Sequence, residues 1–261
     1  MSVLTPPTGT QAIYRVNPVA KLAAAAIISL ALVLSIDWVS GAVALAAEAV
    51  LFLFAGLTLR QFVVRTSPVW IASLFAAITI LLYGEPSGTS YWQFLLINVS
   101  DGSIELAIAT MLRVLAIGLP AVVLFVTVDP TDLADGLAQV VRLPSRFVLG
   151  ALGGLRLVGL FIDDWKSLEL ARRARGIADT GRLRRFAGQA FALLVLSIRR
   201  GSKLATAMEA RGFGASNDRT WARESRMGWP EAAVVAAGAA TGCIAVSASI
   251  AAGEWNFIVG G

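Results

Sequence analysis

The chain has no histidine, so the commonest metal ligand and the commonest general base are both missing from its 261 residues. Its single cysteine, Cys243, lies in an apolar run, which excludes a disulfide within the chain and suits small-residue packing. Charge is scarce: charged residues make up 15% of the chain against 57% hydrophobic residues, and the mean hydropathy is +0.73. So apolar a composition excludes an ordinary soluble domain and implies an integral membrane protein. No GxxxxGK[ST] occurs, so the chain does not bind ATP in the P-loop manner. HExxH, GxSxG and CxxC are absent too, which argues against a membrane protease or redox enzyme and leaves no catalytic or metal residue to name. The opening MSVLTPPTGTQAIYRVNP is not charged and then apolar, and no cleavage site follows it. No signal peptide is read there, and the first apolar run is expected to stay in the protein.

What is present is a succession of apolar runs. Residues 21–36 form the first, with Trp38 just beyond at a position suited to the membrane interface. It is short, but about 16 residues at ~1.5 Å rise cover most of a hydrocarbon core. The runs 39–59, interrupted only by Glu48, and 67–83, closed by the turn-forming GEPSG, give a second and a third span. The run 104–128, which contains Arg113 and Pro120, gives a fourth, and 229–252 a fifth. The apolar piece 91–99 is too short to cross as a helix and is read as a re-entrant or surface segment. Glu48 and Arg113, each embedded in an apolar run, are candidates to pair with one another.

Between the fourth and fifth spans lie 17 of the 22 lysines and arginines, the asymmetry that places a segment on the cytoplasmic side. Tracing back through the spans puts Arg15, Lys21, Arg60 and Arg65 inside, and Asp37, Glu85, Asp101, Glu105 and Glu254 outside. The amino terminus is then inside and the carboxyl terminus outside. The net charge of +5 would also fit nucleic acid, but aromatic residues are sparse in the basic segment and much of its charge lies on apparent amphipathic helices. Two apolar pieces, 147–162 and 186–198, interrupt that segment. As a membrane hairpin they would carry the arginine-rich WKSLELARRARGIADTGRLRR to the outer face, against the rule every other loop obeys. They are therefore read as long amphipathic helices packed on the inner membrane face, with Gly150, Gly153, Gly154 and Gly159 expected at a close crossing. Ahead of them, DPTDL predicts a short amphipathic helix from about residue 130, capped by Asp129 or Thr131 and stopped by Pro144. The expected fold is an all-α membrane protein of about five transmembrane helices plus a cytoplasmic coupling region of long amphipathic helices. Residues 1–128 are expected to hold the amino-terminal spans, 129–227 the coupling region and 228–261 the last span.

Within residues 163–214 the triplet Ala-Arg-Gly occurs twice, as Ala174-Arg175-Gly176 in ARRARG and as Ala210-Arg211-Gly212 in AMEARGFG. By chance such a triplet arises on the order of 0.3 times in a chain of this composition, so one alone carries little. Both copies, however, follow a helical run and end in a glycine suited to a left-handed stop. Each arginine then stands at a helix carboxyl end, where the carbonyls favour a cation by up to ~1 kcal/mol and leave the guanidinium fork free for a carboxylate. Capping the helix itself, or meeting lipid phosphates, is the alternative. Asp163, Asp164 and Glu169 do not converge on one helix face and are read as a solvated surface near Lys166 and Arg172.

In these elements the chain resembles a known family, the transmembrane T components of energy-coupling factor transporters, which import vitamins and transition-metal ions. The resemblance rests on Asn17-Pro18 with Lys21-Leu22, on Asp129-Pro130-Thr131-Asp132-Leu133, on Ala174-Arg175-Gly176 and, most specifically, on Met208-Glu209-Ala210-Arg211-Gly212-Phe213-Gly214. It covers nearly the whole chain. It implies a non-catalytic scaffold whose Ala174, Arg175, Gly176, Ala210, Arg211 and Gly212 lie on coupling helices that dock with two ABC-type ATPase subunits, as a homodimer or heterodimer. The arginines would meet acidic groups there. It further implies that ATP and magnesium are bound by those ATPases and not by this chain, and that a small substrate-binding S component in the cell membrane carries the cargo. The competing function is a stand-alone secondary transporter or channel, against which stand the lack of an inverted repeat and the few intramembrane polar residues.

Overall fold

The computed structural model describes residues 16–34, 37–54, 59–84, 87–94, 97–176, 181–213 and 220–254. Helices α1 (Pro18–Val33), α2 (Trp38–Phe54) and α3 (Leu59–Tyr83) are followed by a hairpin of β1 (Ser90–Phe94) and β2 (Ile97–Ser100). Then come α4 (Asp101–Val126), α5 (Pro130–Gln139), α6 (Ser145–Ala174), α7 (Arg182–Ala210) and α8 (Trp229–Ala252). The described residues fall into two compact units, one within Pro6–Leu133 and Arg226–Gly261, the other within Ala134–Ser225. The chain is an all-α membrane protein with one small hairpin.

Four helices among the described residues are long and apolar enough to cross a membrane: α3, α4, α6 and α8. The apolar α1 and α2 are shorter, at 16 and 17 residues. The last span lies where the sequence placed it. α3 begins earlier than expected and takes Arg60, Arg65 and Pro68 into its first turns. α6 differs most, because the apolar piece 147–162 is part of one 30-residue helix that continues through Arg156, Asp163 and Asp164. Its apolar side chains lie all round, so it has the composition of a span and lacks the one-sided pattern of an amphipathic helix. α7 does have that pattern.

In the first unit α3 packs along α4, α1 along α8, and α2 against both α4 and α8. Ile28, Leu32, Ala44, Ala116 and Ala245 form the buried centre, with Leu45 and Ile117 against it. In lipid there is no hydrophobic drive between helices, so close packing of small residues has to hold them. Gly238 is the clearest instance: a Cβ there would stand 2.9 Å from both Cα and Cβ of Ala24 and 3.0 Å from its carbonyl oxygen. Large apolar side chains such as Val64, Ile71, Leu74 and Phe75 on α3 point outward, as a lipid solvent permits.

The segment expected to be re-entrant or superficial is the hairpin, antiparallel with Phe94 opposite Ile97 and Trp92 opposite Val99. It is tied to α4 through Asp101, which accepts from the Tyr91 hydroxyl at 2.8 Å and from the Thr89 amide at 3.1 Å.

In the second unit Ala134, Ala138 and Val148 are buried together, with Leu137, Leu152 and Trp221 packed on them. Gln139 fastens the return of the chain, donating to the Arg223 carbonyl at 2.8 Å and accepting from the Ser225 amide at 2.8 Å. Contacts between α6 and α7 run in opposite order along the two helices. Gly153 lies near Leu204, Asp164 pairs with Arg200, and Arg172 donates to the Arg185 carbonyl at 3.3 Å. At three of the four glycines expected at a close crossing none is found: a Cβ on Gly150 or Gly154 would meet nothing within 4 Å, and on Gly153 only Leu204 Cδ2 at 3.5 Å.

Candidate functional site

The two Ala-Arg-Gly triplets end α6 and α7 in the same way. Arg175 is the C-cap of α6, with φ −89° and ψ 2°, and Arg211 that of α7, with φ −91° and ψ 10°. Each glycine then takes a left-handed conformation, φ +68° at Gly176 and +72° at Gly212, where any side chain would be strained. In α7 the Gly212 amide donates to the Glu209 carbonyl at 2.9 Å and the Phe213 amide to the Met208 carbonyl at 3.0 Å. In α6 the Gly176 amide donates to Arg173 at 3.0 Å, the corresponding bond. The last carbonyls are thus satisfied by backbone, and neither arginine is needed to cap its own helix. Gly214 lies outside the described residues.

Ala174, Arg175, Gly176, Ala210, Arg211 and Gly212 are all exposed. Other arginines nearby are engaged. Arg200 grips the Asp164 carboxylate across the helix pair through both guanidinium nitrogens, one of them at 2.9 Å. Arg173 bonds Glu169 one turn back at 2.6 Å, and Arg172 reaches the Arg185 backbone. Among the described residues, no hydrogen bond or ion pair occupies the side chain of Arg175 or Arg211. The geometry offers two planar forks, each beside the partial negative charge of a helix carboxyl end and each able to take a carboxylate in two-point fashion.

The acidic residues of this region do structural work. Asp164 was expected on a solvated face and is instead the partner of Arg200, a pairing 36 residues apart that sequence spacing does not reveal. Asp163 keeps the expected exposed position, 3.8 Å from Lys166. Asp129 caps α5 as expected, accepting from the Thr131 amide at 2.7 Å. Among the described residues no group of three His, Cys, Asp or Glu side chains is placed to hold a metal.

The suggested pair of Glu48 with Arg113 does not form. Both Glu48 carboxylate oxygens are buried without a hydrogen-bond partner, and one Arg113 guanidinium nitrogen is likewise unpartnered. An unsatisfied buried carboxyl costs ~1–3 kcal/mol, so Glu48→Met is expected to raise the thermal midpoint in detergent by several degrees. A lowered midpoint would mean that Glu48 has a stabilising partner after all.

One cluster escaped the sequence reading. Asn17 caps α1, its side-chain oxygen accepting from the Val19 amide at 3.0 Å ahead of Pro18 at the first helical position. Lys21, only 1% exposed, donates to the Thr127 carbonyl at 3.1 Å and hydroxyl at 3.0 Å. A lone lysine early in an apolar helix was the available signal.

Comparison with known proteins agrees with this architecture. Residues 9–221 match the family CbiQ, described as cobalt transport protein. The chain is 28% identical over 179 residues to the energy-coupling factor transporter transmembrane protein of Limosilactobacillus fermentum, covering 64% of this chain and 66% of that one. It is 25% identical over 238 residues to the protein of the same name from Brevibacillus brevis, covering 87% of this chain and 89% of the relative. With the match running through most of both units and both triplets, this chain belongs to the CbiQ family, the transmembrane T components of energy-coupling factor transporters.

Proposed function

We propose that this chain is the scaffold that links two ABC-type ATPase subunits to a small substrate-binding membrane subunit in a micronutrient importer of the cell membrane. The observation that carries the reading is the pair of matched helix ends, each holding an exposed arginine whose fork is unused among the described residues. Arg175 enters one ATPase and Arg211 the other, each meeting an acidic group, with Ala174 and Ala210 small enough to let the helix ends seat closely. Gly176 and Gly212 end the helices sharply behind them. The ATPases bind ATP and magnesium, and this chain catalyses nothing. Closure on ATP and opening after hydrolysis move the anchored helix ends relative to each other.

The cargo subunit packs on α6 and α7. Supporting this are the bare glycines Gly150 and Gly154, the exposed Phe147, Leu155 and Val158 of α6, and the exposed Phe191, Leu194 and Ile198 of α7. A shallow, largely apolar groove lined by Val158, Phe161, Ile162, Trp165, Lys166 and Leu193 continues that surface. The concentration of lysine and arginine between Pro130 and Gly228 supports an inside location for both triplets, with the amino terminus inside and the carboxyl terminus outside. The cargo, a vitamin or a transition-metal ion, is held by the partner subunit.

Replacing either arginine by lysine tests the anchor. Lysine keeps the charge but loses the planar fork, so Arg175→Lys and Arg211→Lys, each made singly, are expected to retain the fold and to weaken ATPase binding at that site about tenfold, a loss on the order of 1.4 kcal/mol. Binding at the wild-type level in both would mean that any cation suffices. Full vitamin uptake by the double alanine variant would remove the arginines from the mechanism.

A further inference from the structure

The polar cluster at the amino end of α1 gathers the start of α1, the end of α4 and the start of α8. The Asn17 backbone amide donates to Glu231 Oε1 at 3.2 Å, and its side-chain nitrogen donates to the Arg226 carbonyl at 3.2 Å. Glu231 Oε2 accepts from the Gly228 amide at 2.8 Å. Lys21 is tied to Thr127 at the end of α4 by two hydrogen bonds. Asn17, Lys21, Thr127 and Glu231 are all buried.

The position of this cluster in the chain gives it meaning. The chain leaves the first unit after Leu133 and returns to it at Arg226. Asp132 stands one residue before the departure, and Arg226 is the point of return. The returning chain is therefore held to the first turn of α1 at Arg226, and the outgoing chain is held to the same turn at Thr127, six residues before Leu133.

We propose that Asn17 and Lys21 are positioning residues for energy transfer, forming the fixed point through which movement of the unit Ala134–Ser225 is passed into α1, α4 and α8. The inference rests on the proposed function, since that movement is driven by the ATPases. Lys21 couples the outgoing chain to α1 and α4 through Thr127. Asn17 couples the returning crossing to α1 through the Arg226 carbonyl, and the Glu231 bond aligns α8 with the same turn.

The test uses the whole complex and the native Cys243, the chain's one cysteine, which is exposed on α8. An environment-sensitive probe on Cys243 is read in the purified complex before and after ATP. Lys21→Met removes both hydrogen bonds to Thr127 while filling a similar buried volume. Asn17→Ser keeps a good helix cap but loses the donor to the Arg226 carbonyl. In either variant we expect ATPase content and ATP hydrolysis within about twofold of wild type, with the ATP-dependent probe change reduced at least about fivefold, the lower end of typical coupling factors. Two results would overturn the proposal: a probe change in both variants equal to wild type, or loss of complex and hydrolysis in both in proportion to the probe change, which is what a purely structural role gives. If wild type itself carries no ATPases, the proposed function fails as well, so the two failures are told apart by the wild-type sample.

Discussion

The double variant Arg175→Ala, Arg211→Ala is expected to fold, insert in the membrane and lose its ATPases. Both side chains are exposed, and both helix ends are closed by backbone bonds from Gly176, Gly212 and Phe213 that do not involve the guanidinium groups. Stability should therefore change by no more than about 0.5 kcal/mol, the usual range for surface sites. Binding is another matter. A charged fork buried against a carboxylate typically costs 2–5 kcal/mol to truncate, about thirtyfold or more in affinity per site. With both anchors gone, ATPase recovered per chain in a detergent pull-down should fall below a tenth of wild type, whereas each single variant should keep part of it. An unchanged recovery in the double variant would return the arginines to lipid phosphates.

The second large effect concerns the fold. Gly238→Leu is expected to separate α8 from α1, because a Cβ alone would already stand 2.9 Å from the backbone of Ala24, which cannot yield as a side-chain tip can. Overpacking of this kind costs about 3 kcal/mol, a fall in thermal midpoint of roughly 6–12 °C for a chain of this length. Gly150→Leu is the control: its Cβ would meet nothing within 4 Å, and the midpoint should stay within about 1 °C. If the subunit that carries the cargo packs there, the same Gly150→Leu should weaken its recovery in the complex.

These two glycines show what a single sequence can and cannot convey. Both lie in apolar helices, and nothing local distinguishes the one pressed against a neighbouring backbone from the one left bare. The expectation of a close crossing at Gly150 and Gly154 failed for that reason, while a close crossing at Gly238 was not singled out. The spans were legible wherever hydropathy and length agreed, as in α8. The charge rule alone was a poor guide at α6, where an apolar run bounded at 162 belongs to one helix that continues through Asp163 and Asp164 to Ala174. The hairpin at Ser90–Ser100 was recognisable as something other than a spanning helix, but a short apolar run does not declare itself a strand.

The triplets were the most legible part of the site, since a helical run followed by glycine is a local signal and the left-handed turns at Gly176 and Gly212 follow from it. Pairings across the fold were not. Lys21 with Thr127 spans 106 residues and Asp164 with Arg200 spans 36, and no periodicity reports such distances. Glu48 and Arg113 illustrate the converse, two isolated charges that invited a pair and lie apart.

The most direct test places a photo-reactive residue at Ala174 or Ala210, each exposed and adjacent to its arginine. Illumination of the complex in its native membrane should link each position to an ABC-type ATPase subunit, and omission of light should leave the chain free. Crosslinks from both positions to lipid alone, with no ATPase attached at either, would contradict the account.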